Sequence, residues 1–181
     1  MAHYCLIATD FGPIGLAWSG RGLIRLQLPD ETETLTKARL IRRIQAVEAD
    51  PPAWLEPTVA DLRRYFSGEE TAFPDASLDL ESVPDFHQAL YREMRKLGWG
   101  ETLTYGELAT RVGMPGAAQS VGQAMGRNPI PVIIPCHRIL ASGNTLGGFS
   151  APGGTRTKLK LFAIEGIRLG LRDPSQLGFG F

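Results

Sequence analysis

The stretch Pro129-Ile130-Pro131-Val132-Ile133-Ile134-Pro135-Cys136-His137-Arg138-Ile139-Leu140 organises the reading of the whole chain. It is apolar and rich in β-branched residues, is fenced by three prolines, and delivers a cysteine with a histidine and an arginine directly behind it. Proline fixes φ and has no N–H to donate, so Pro135 keeps Cys136 out of an ordinary helix interior. It also pushes Ile134 toward an extended conformation. The chain is therefore expected to arrive extended, turn sharply and present the thiol at a rigid point. Thiolate is the reactive form of cysteine, and a thiol of pKa about 8.5 needs a neighbouring base or positive charge to supply it. His137 and Arg138 are candidates, although adjacent side chains usually diverge. The plainer reading is a buried, inert cysteine in an apolar run.

Working outward, the 181 residues are 43% hydrophobic and 21% charged, a globular balance on a length that suits one domain or two small ones. No apolar run is long enough for a membrane span, for which about 20 residues are needed. The opening Met1-Ala2-His3-Tyr4-Cys5-Leu6-Ile7 lacks the basic start and long apolar core of a signal peptide. Two cysteines in very different contexts argue against a disulfide framework and fit a reducing cytoplasm. His3 and Cys5 share one face of an expected strand, but no second pair with ligand spacing follows, so no metal site is expected and Cys5 reads as core. Net charge is zero, yet residues 1–84 hold 8 Lys+Arg against 13 Asp+Glu while residues 85–181 hold 11 against 6. A basic second half beside an acidic first half permits contact with a polyanion through the C-terminal part.

Taken in order, residues 3–9, 13–19 and 22–29 are β-rich runs broken by Gly12-Pro13 and Gly20-Arg21-Gly22, which predicts an antiparallel meander. Glu33 to Val47 places Leu35, Ala38, Ile41 or Arg42, Ile44 and Ala46 on a helical period with basic residues outward, and Leu55 to Phe66 reads as a second helix closed by Gly68. Leu78-Asp79-Leu80 suggests one more short strand. Residues 1–80 thus form a small α+β unit with no cluster of catalytic residue types, and a scaffold role is expected of it. Past a polar, proline-bearing connector, residues 84–181 are mostly helical. A helix from Pro84 carries Phe86, Ala89, Leu90, Met94 and Leu97 on one face. Thr104 and Glu107 make a capping box for a helix beginning near Tyr105. Gly113-Met114-Pro115-Gly116 turns the chain into a second short helix, Ala117 to Met125, rich in small residues. Two short helices on a glycine-bearing turn fit a helix-turn-helix. A helix whose exposed face lacks bulk can approach a nucleic-acid groove closely, and close packing inside a core is the alternative. Ser142-Gly143-Asn144 marks a turn, and Gly153-Gly154 precede a last helix with Leu159, Phe162 and Ala163 inward, closed by Gly166.

The ordered set Asn128-Pro129, Pro135-Cys136-His137-Arg138, Gly147-Gly148-Phe149-Ser150 and Glu165-Gly166 resembles the O6-alkylguanine-DNA alkyltransferases. The resemblance is dense from Phe86 to Gly166 and thinner before it. It implies an RNase H-like α+β unit followed by a winged helix-turn-helix domain, acting as a cytoplasmic monomer without cofactor, metal or obligatory protein partner. The implied partner is double-stranded DNA carrying O6-alkylguanine, with O4-alkylthymine a further implied lesion. The resemblance makes Cys136 the alkyl acceptor, consumed in one turnover, with His137 as base and Glu165 as the carboxylate that orients it. Asn128 becomes the hinge asparagine, Tyr105 the donor to the departing base, and Ser150 a contact to the O6 side of guanine. Gln119, Ser120, Gly122, Gln123, Ala124 and Arg127 fall where the groove-inserted helix contacts DNA. One position departs: the family's arginine that fills the hole left by the flipped base is here Gln119, shorter and uncharged. Arg138 is expected to make structural contacts. Two rival readings stand beside this one. One is a damage-binding relative without transfer chemistry, against which Cys136 itself argues. The other is a cysteine hydrolase, against which the adjacency of Cys136 and His137 and the lack of an oxyanion donor cluster argue.

Overall fold

The computed structural model describes residues 1–169, so the last part of the expected 84–181 unit lies outside the described residues. The meander forms as anticipated: β1 (Ala2–Ile7), β2 (Ile14–Trp18) and β3 (Leu23–Gln27) pair antiparallel in sequence order. The expected helix from Glu33 to Val47 is corrected. Helix α1 ends after Glu33–Leu40, and Ala46–Glu48 becomes β4, a parallel strand on the outer edge of β1. The break has two physical causes. Arg25 Nη1 donates to the terminal carbonyls of Leu40 and Arg42 at 2.9 and 2.8 Å, and Arg43 adopts a left-handed φ of 64° that no helix continues through. The freed chain then satisfies the open edge of β1, and the Tyr4 hydroxyl ties it down by donating to Glu48 at 2.9 Å. Leu35, expected inward, is exposed.

Helix α2 (Glu56–Phe66) buries Val59, Leu62, Tyr65 and Phe66, which share one core with Leu16 and Leu26 of the sheet. Leu78–Leu80 does not make a full strand. It contributes one bridge to β3, with Leu23 N–H donating to Ser77 O and Asp79 N–H to Leu23 O. Helix α3 (Asp85–Met94) then enters the second half, burying Leu90, Tyr91 and Met94.

Strand β5 (Leu103–Thr104) pairs parallel with β6 (Ile139–Leu140). Between them α4 (Tyr105–Arg111), with the expected Thr104–Glu107 capping box, and α5 (Ala118–Gly126) form the helix-turn-helix. The turn passes through positive φ at Gly113 and Gly116, conformations glycine adopts without steric cost. Helix α6 (Thr155–Glu165) closes the described fold on a left-handed Gly166. Its inward face differs from expectation: Lys158, Leu161, Phe162 and Glu165 point in, at helical spacing, whereas Leu159 and Ala163 face solvent.

One contiguous apolar core joins the two halves. Leu16, Leu62 and Tyr65 from the first belong to the same cluster as Leu97, Ile133, Ile134 and Leu161 from the second. The backbone is stitched as well, since Leu26 N–H of β3 donates to Pro129 O at 2.9 Å, so the meander's outer edge holds the start of the Pro129–Leu140 stretch. Among the described residues no helix is long and apolar enough to cross a membrane.

Candidate active site

The proline-fenced stretch folds as a sequence of tight turns. Asn128 clamps the first of them, its Nδ2 donating to Ile134 O at 2.8 Å while its Oδ1 accepts from Ile130 N–H at 3.0 Å. Inside that clamp Val132 sits at φ 76°. A β-branched residue avoids the left-handed region, and such strain persists only where the surroundings over-determine it. Pro135 follows at φ −80°, ψ 63°, with Cys136 N–H donating to Ile134 O at 2.8 Å. That is an inverse γ-turn, for which the proline ring is pre-set. Cys136, His137 and Arg138 then make one 3₁₀ turn, all three buried.

Behind the cysteine lies a dense polar network. The ring of His137 is wholly buried, and its Nε2 lies 2.5 Å from Glu165 Oε1. Arg138 donates from Nε to Glu165 Oε2 at 2.8 Å and from Nη2 to Oε1 at 3.1 Å, while its Nη1 reaches Leu97 O at 2.6 Å. Gly100 N–H adds a bond to Oε2 at 3.2 Å, and the Tyr65 hydroxyl one to Oε1 at 2.7 Å. Burial pushes the Glu165 carboxyl up, but the hydrogen bonds and charges of His137 and Arg138 outweigh it and hold the group well below the usual carboxylate range. An ionised carboxylate only accepts, so Nε2 of His137 must carry the proton. Nδ1 is thereby left as a bare lone pair, buried and without a hydrogen-bond partner in the structure. Burial lowers the His137 pKa despite Glu165, so the imidazole rests neutral. A neutral imidazole with an unused nitrogen, oriented by a carboxylate, is the arrangement of a general base.

The thiol is protonated at rest, because burial pushes it up. Against that, the Asn128 amide, the Lys158 charge and the backbone N–H groups of Cys136 and His137 all favour the thiolate. Lys158 is fully buried, with Nζ donating to Ile139 O at 2.7 Å and Leu146 O at 2.6 Å, and burial draws its pKa down to about 8.

Cys136 lines two clefts. One, of about 270 Å³, is walled by Tyr105, Gly122, Met125, Gly126, Phe149 and Ser150. The other, of about 240 Å³, lies toward β3 and includes Arg25, Arg39, Arg127, Asn128 and Ser150. Tyr105 stands against the chain at Gly147, where a Cβ would come within 3.2 Å of the phenolic oxygen. Burial raises the Tyr105 pKa, which keeps that phenol a donor. On α5, Gln119, Ser120, Gln123 and, just beyond it, Arg127 are exposed and Gly122 is half-buried. Ala124 is corrected: it faces the core with no exposed surface, and its carbonyl accepts from the Tyr91 hydroxyl at 2.8 Å. The helical period places it one face away from Gln123. A Cβ at Gly122 or Gly126 would meet nothing within 4 Å, so internal packing does not explain why these positions are glycine.

The structure therefore brings Cys136, His137, Glu165, Asn128, Tyr105 and Ser150 into one locality and sets the exposed α5 residues at its rim. Sequence reasoning missed Tyr65 and Lys158. Tyr65 stood in a unit expected only to be scaffold, and nothing in the sequence marks Lys158 apart from its neighbours Arg156 and Lys160. Among the described residues no cluster of His, Cys, Asp or Glu fits a metal ion.

Comparison with known proteins gives the same picture for both halves. Residues 2–80 match the ribonuclease-like domain of 6-O-methylguanine DNA methyltransferase, and residues 85–167 match its DNA-binding domain. The methylated-DNA–protein-cysteine methyltransferase of Mycobacterium bovis is 37% identical over 168 residues, covering 93% of this chain and 94% of that protein. The crystal structure of Mycobacterium tuberculosis OGT in complex with DNA superposes with a TM-score of 0.74 at 37% identity, covering 90% of this chain and 92% of that one. That of Mycobacterium tuberculosis O6-methylguanine methyltransferase gives 0.73 at 35% identity, covering 97% and 98%.

Proposed function

Since the chain belongs to the 6-O-methylguanine DNA methyltransferase family, we propose that Cys136 is the acceptor through which it performs that family's reaction on O6-alkylguanine in double-stranded DNA. Its activity is DNA repair by transfer of an alkyl group to a cysteine of its own chain. The observation that carries the assignment is a cleft-lining thiol followed directly in the same turn by an imidazole whose Nδ1 is bare and whose Nε2–H is fixed on an ionised carboxylate.

In the proposed step a water relays the Cys136 proton to Nδ1 of His137, and Glu165 stabilises the imidazolium that results. The thiolate attacks the alkyl carbon in line; the S–C bond forms as the C–O6 bond breaks. The electron pair leaves with the purine, which Tyr105 meets by donating a hydrogen bond as negative charge develops. Proton return from His137 releases guanine as a neutral base. The product is a thioether with no route back to thiolate, so each molecule acts once and is consumed.

A base inside a duplex must leave the stack first, which costs on the order of a few kcal/mol. The exposed α5 residues Gln119, Ser120 and Gln123 and the half-buried Gly122, together with Arg127 and Ser150, are assigned to the DNA that surrounds the lesion. The open space over Gly122 and Gly126 supports this, because it lets a groove wall approach the helix backbone.

The test is to incubate the protein with an oligonucleotide carrying O6-methylguanine and to weigh the intact chain. One methyl should appear on Cys136, with loss of lesion stoichiometric in protein, and Cys136→Ala should gain none. Lesion loss that outruns the protein, or a methyl elsewhere, would overturn the assignment.

A further inference from the structure

We propose that Tyr65 is a positioning residue of the transfer machinery, its phenol setting the proton affinity of His137 through the carboxylate oxygen that the two share. The proposal rests on the reading of Cys136 and His137 given above and deepens it, because it assigns the first half of the chain a part in the chemistry.

Tyr65 sits near the end of α2 and has no exposed surface. Its hydroxyl donates to Glu165 Oε1 at 2.7 Å, and the same oxygen takes His137 Nε2 at 2.5 Å; hydroxyl and Nε2 are 3.3 Å apart. Among the described residues every other partner of Glu165 (Gly100, His137 and Arg138) comes from the second half of the chain. The ring is held on several sides, in T-shaped pairs with Phe66 and Trp99 and tilted on Phe73, so the hydroxyl has little freedom to leave Oε1. Burial, with the Glu165 charge second, raises the Tyr65 pKa, so the group stays a donor across the working range.

Oε1 also accepts from Arg138 Nη2 at 3.1 Å, and the further donor that Tyr65 supplies weakens the pull of that oxygen on the Nε2 proton. Without it the imidazolium would be better stabilised, His137 would hold a proton at higher pH, and the lone pair on Nδ1 would be lost as a base. Among the described residues, the titratable and charged groups facing His137 are Glu165 and Lys158 on α6, Cys136 and Arg138 in its own turn, and Tyr65 on α2. Tyr65 is the one that acts on the shared oxygen without bringing a charge. If Tyr65 serves packing alone, removing its hydroxyl leaves the proton affinity of His137 unchanged, and that difference can be measured.

The experiment uses the full chain and follows single-turnover methyl transfer from an O6-methylguanine oligonucleotide between about pH 5 and 9, where the acid limb reports protonation of the base. In Tyr65→Phe the acid limb should move to higher pH, by up to about one unit or tenfold in proton affinity, with DNA affinity and the final gain of one methyl unchanged. Placing 3-fluorotyrosine at position 65, a stronger donor of nearly the same shape, should move it to lower pH. The fluorinated protein carries the test if Tyr65→Phe does not fold. An acid limb that stays in place in every variant that folds overturns the role of Tyr65 and leaves the acceptor assignment standing. A wild-type protein that gains no methyl overturns both.

Discussion

Arg138 is a charge with almost no exposed surface, and its stability consequence follows from its partners. It gives Glu165 two of that carboxylate's hydrogen bonds and spends a third on Leu97 O. Removing one member of a buried pair leaves the other uncompensated, a loss of about 3–5 kcal/mol. Arg138→Met is expected to lower unfolding stability by that order in urea titrations and to slow methyl transfer. The double variant Arg138→Met/Glu165→Leu removes both charges together, so it should recover part of the stability and none of the transfer. A double variant no more stable than the single one would mean that packing, and not the ion pair, holds Arg138 in place. At this scale the sequence was informative where the backbone decides. Pro135 announced a sharp turn before Cys136, and the turn is there. It was silent where distant side chains converge: Tyr65 lies 100 positions from Glu165, and nothing in a helix pattern marks which buried tyrosine will meet a carboxylate.

Among the elements, α5 couples composition to use most directly. Glycine within a helix is about 0.8–1 kcal/mol less favourable than alanine, and at Gly122 and Gly126 no neighbouring atom compensates. Gly122→Ala and Gly126→Ala should therefore raise the midpoint of thermal unfolding while weakening binding to lesion-bearing duplex. Gln119→Arg acts on the other side of the balance: a longer, charged side chain at the rim should tighten duplex binding or speed repair. Calorimetry of the free protein and fluorescence-anisotropy titrations with duplex check the set. Alanine variants that bind as tightly as wild type would remove the groove approach from the account. The small-residue pattern of this helix was legible before any coordinates, yet its phase was not, and Ala124 turned out to face the core. The same limit explains α6. Its last turns show apolar residues on more than one side, and burial chose Leu161 over Leu159 because Lys158 and Glu165 are drawn inward by polar partners that a hydrophobic pattern cannot see. The early end of α1 came from Arg25 reaching across from β3, a tertiary contact that overrides local helix periodicity.

Across the whole molecule, the two halves close on one buried imidazole, and that makes stability sensitive to acid in a definite window. His137 is held neutral by burial, so its folded pKa lies below the unfolded value of about 6.5. As pH falls through that value the unfolded chain gains a proton that the folded chain refuses, so stability is complete above it and declines below. Glu165 is displaced in the same direction for a carboxylate, and its contribution persists until the pH falls below about 4.3 toward its own folded value. Lys158, drawn down to about 8, is already protonated in both states throughout the mildly acidic range and adds no slope there. Between about pH 6.5 and 5, then, His137 should dominate this group, with a loss of up to about 1.4 kcal/mol per pH unit. His87, also lowered by burial, contributes to the same slope and remains when His137 is replaced. Urea unfolding of wild type and of His137→Gln across that range should therefore show a reduced slope in the variant, not a vanished one. Equal slopes would place the acid sensitivity outside the interface where α2, the cysteine turn and α6 meet.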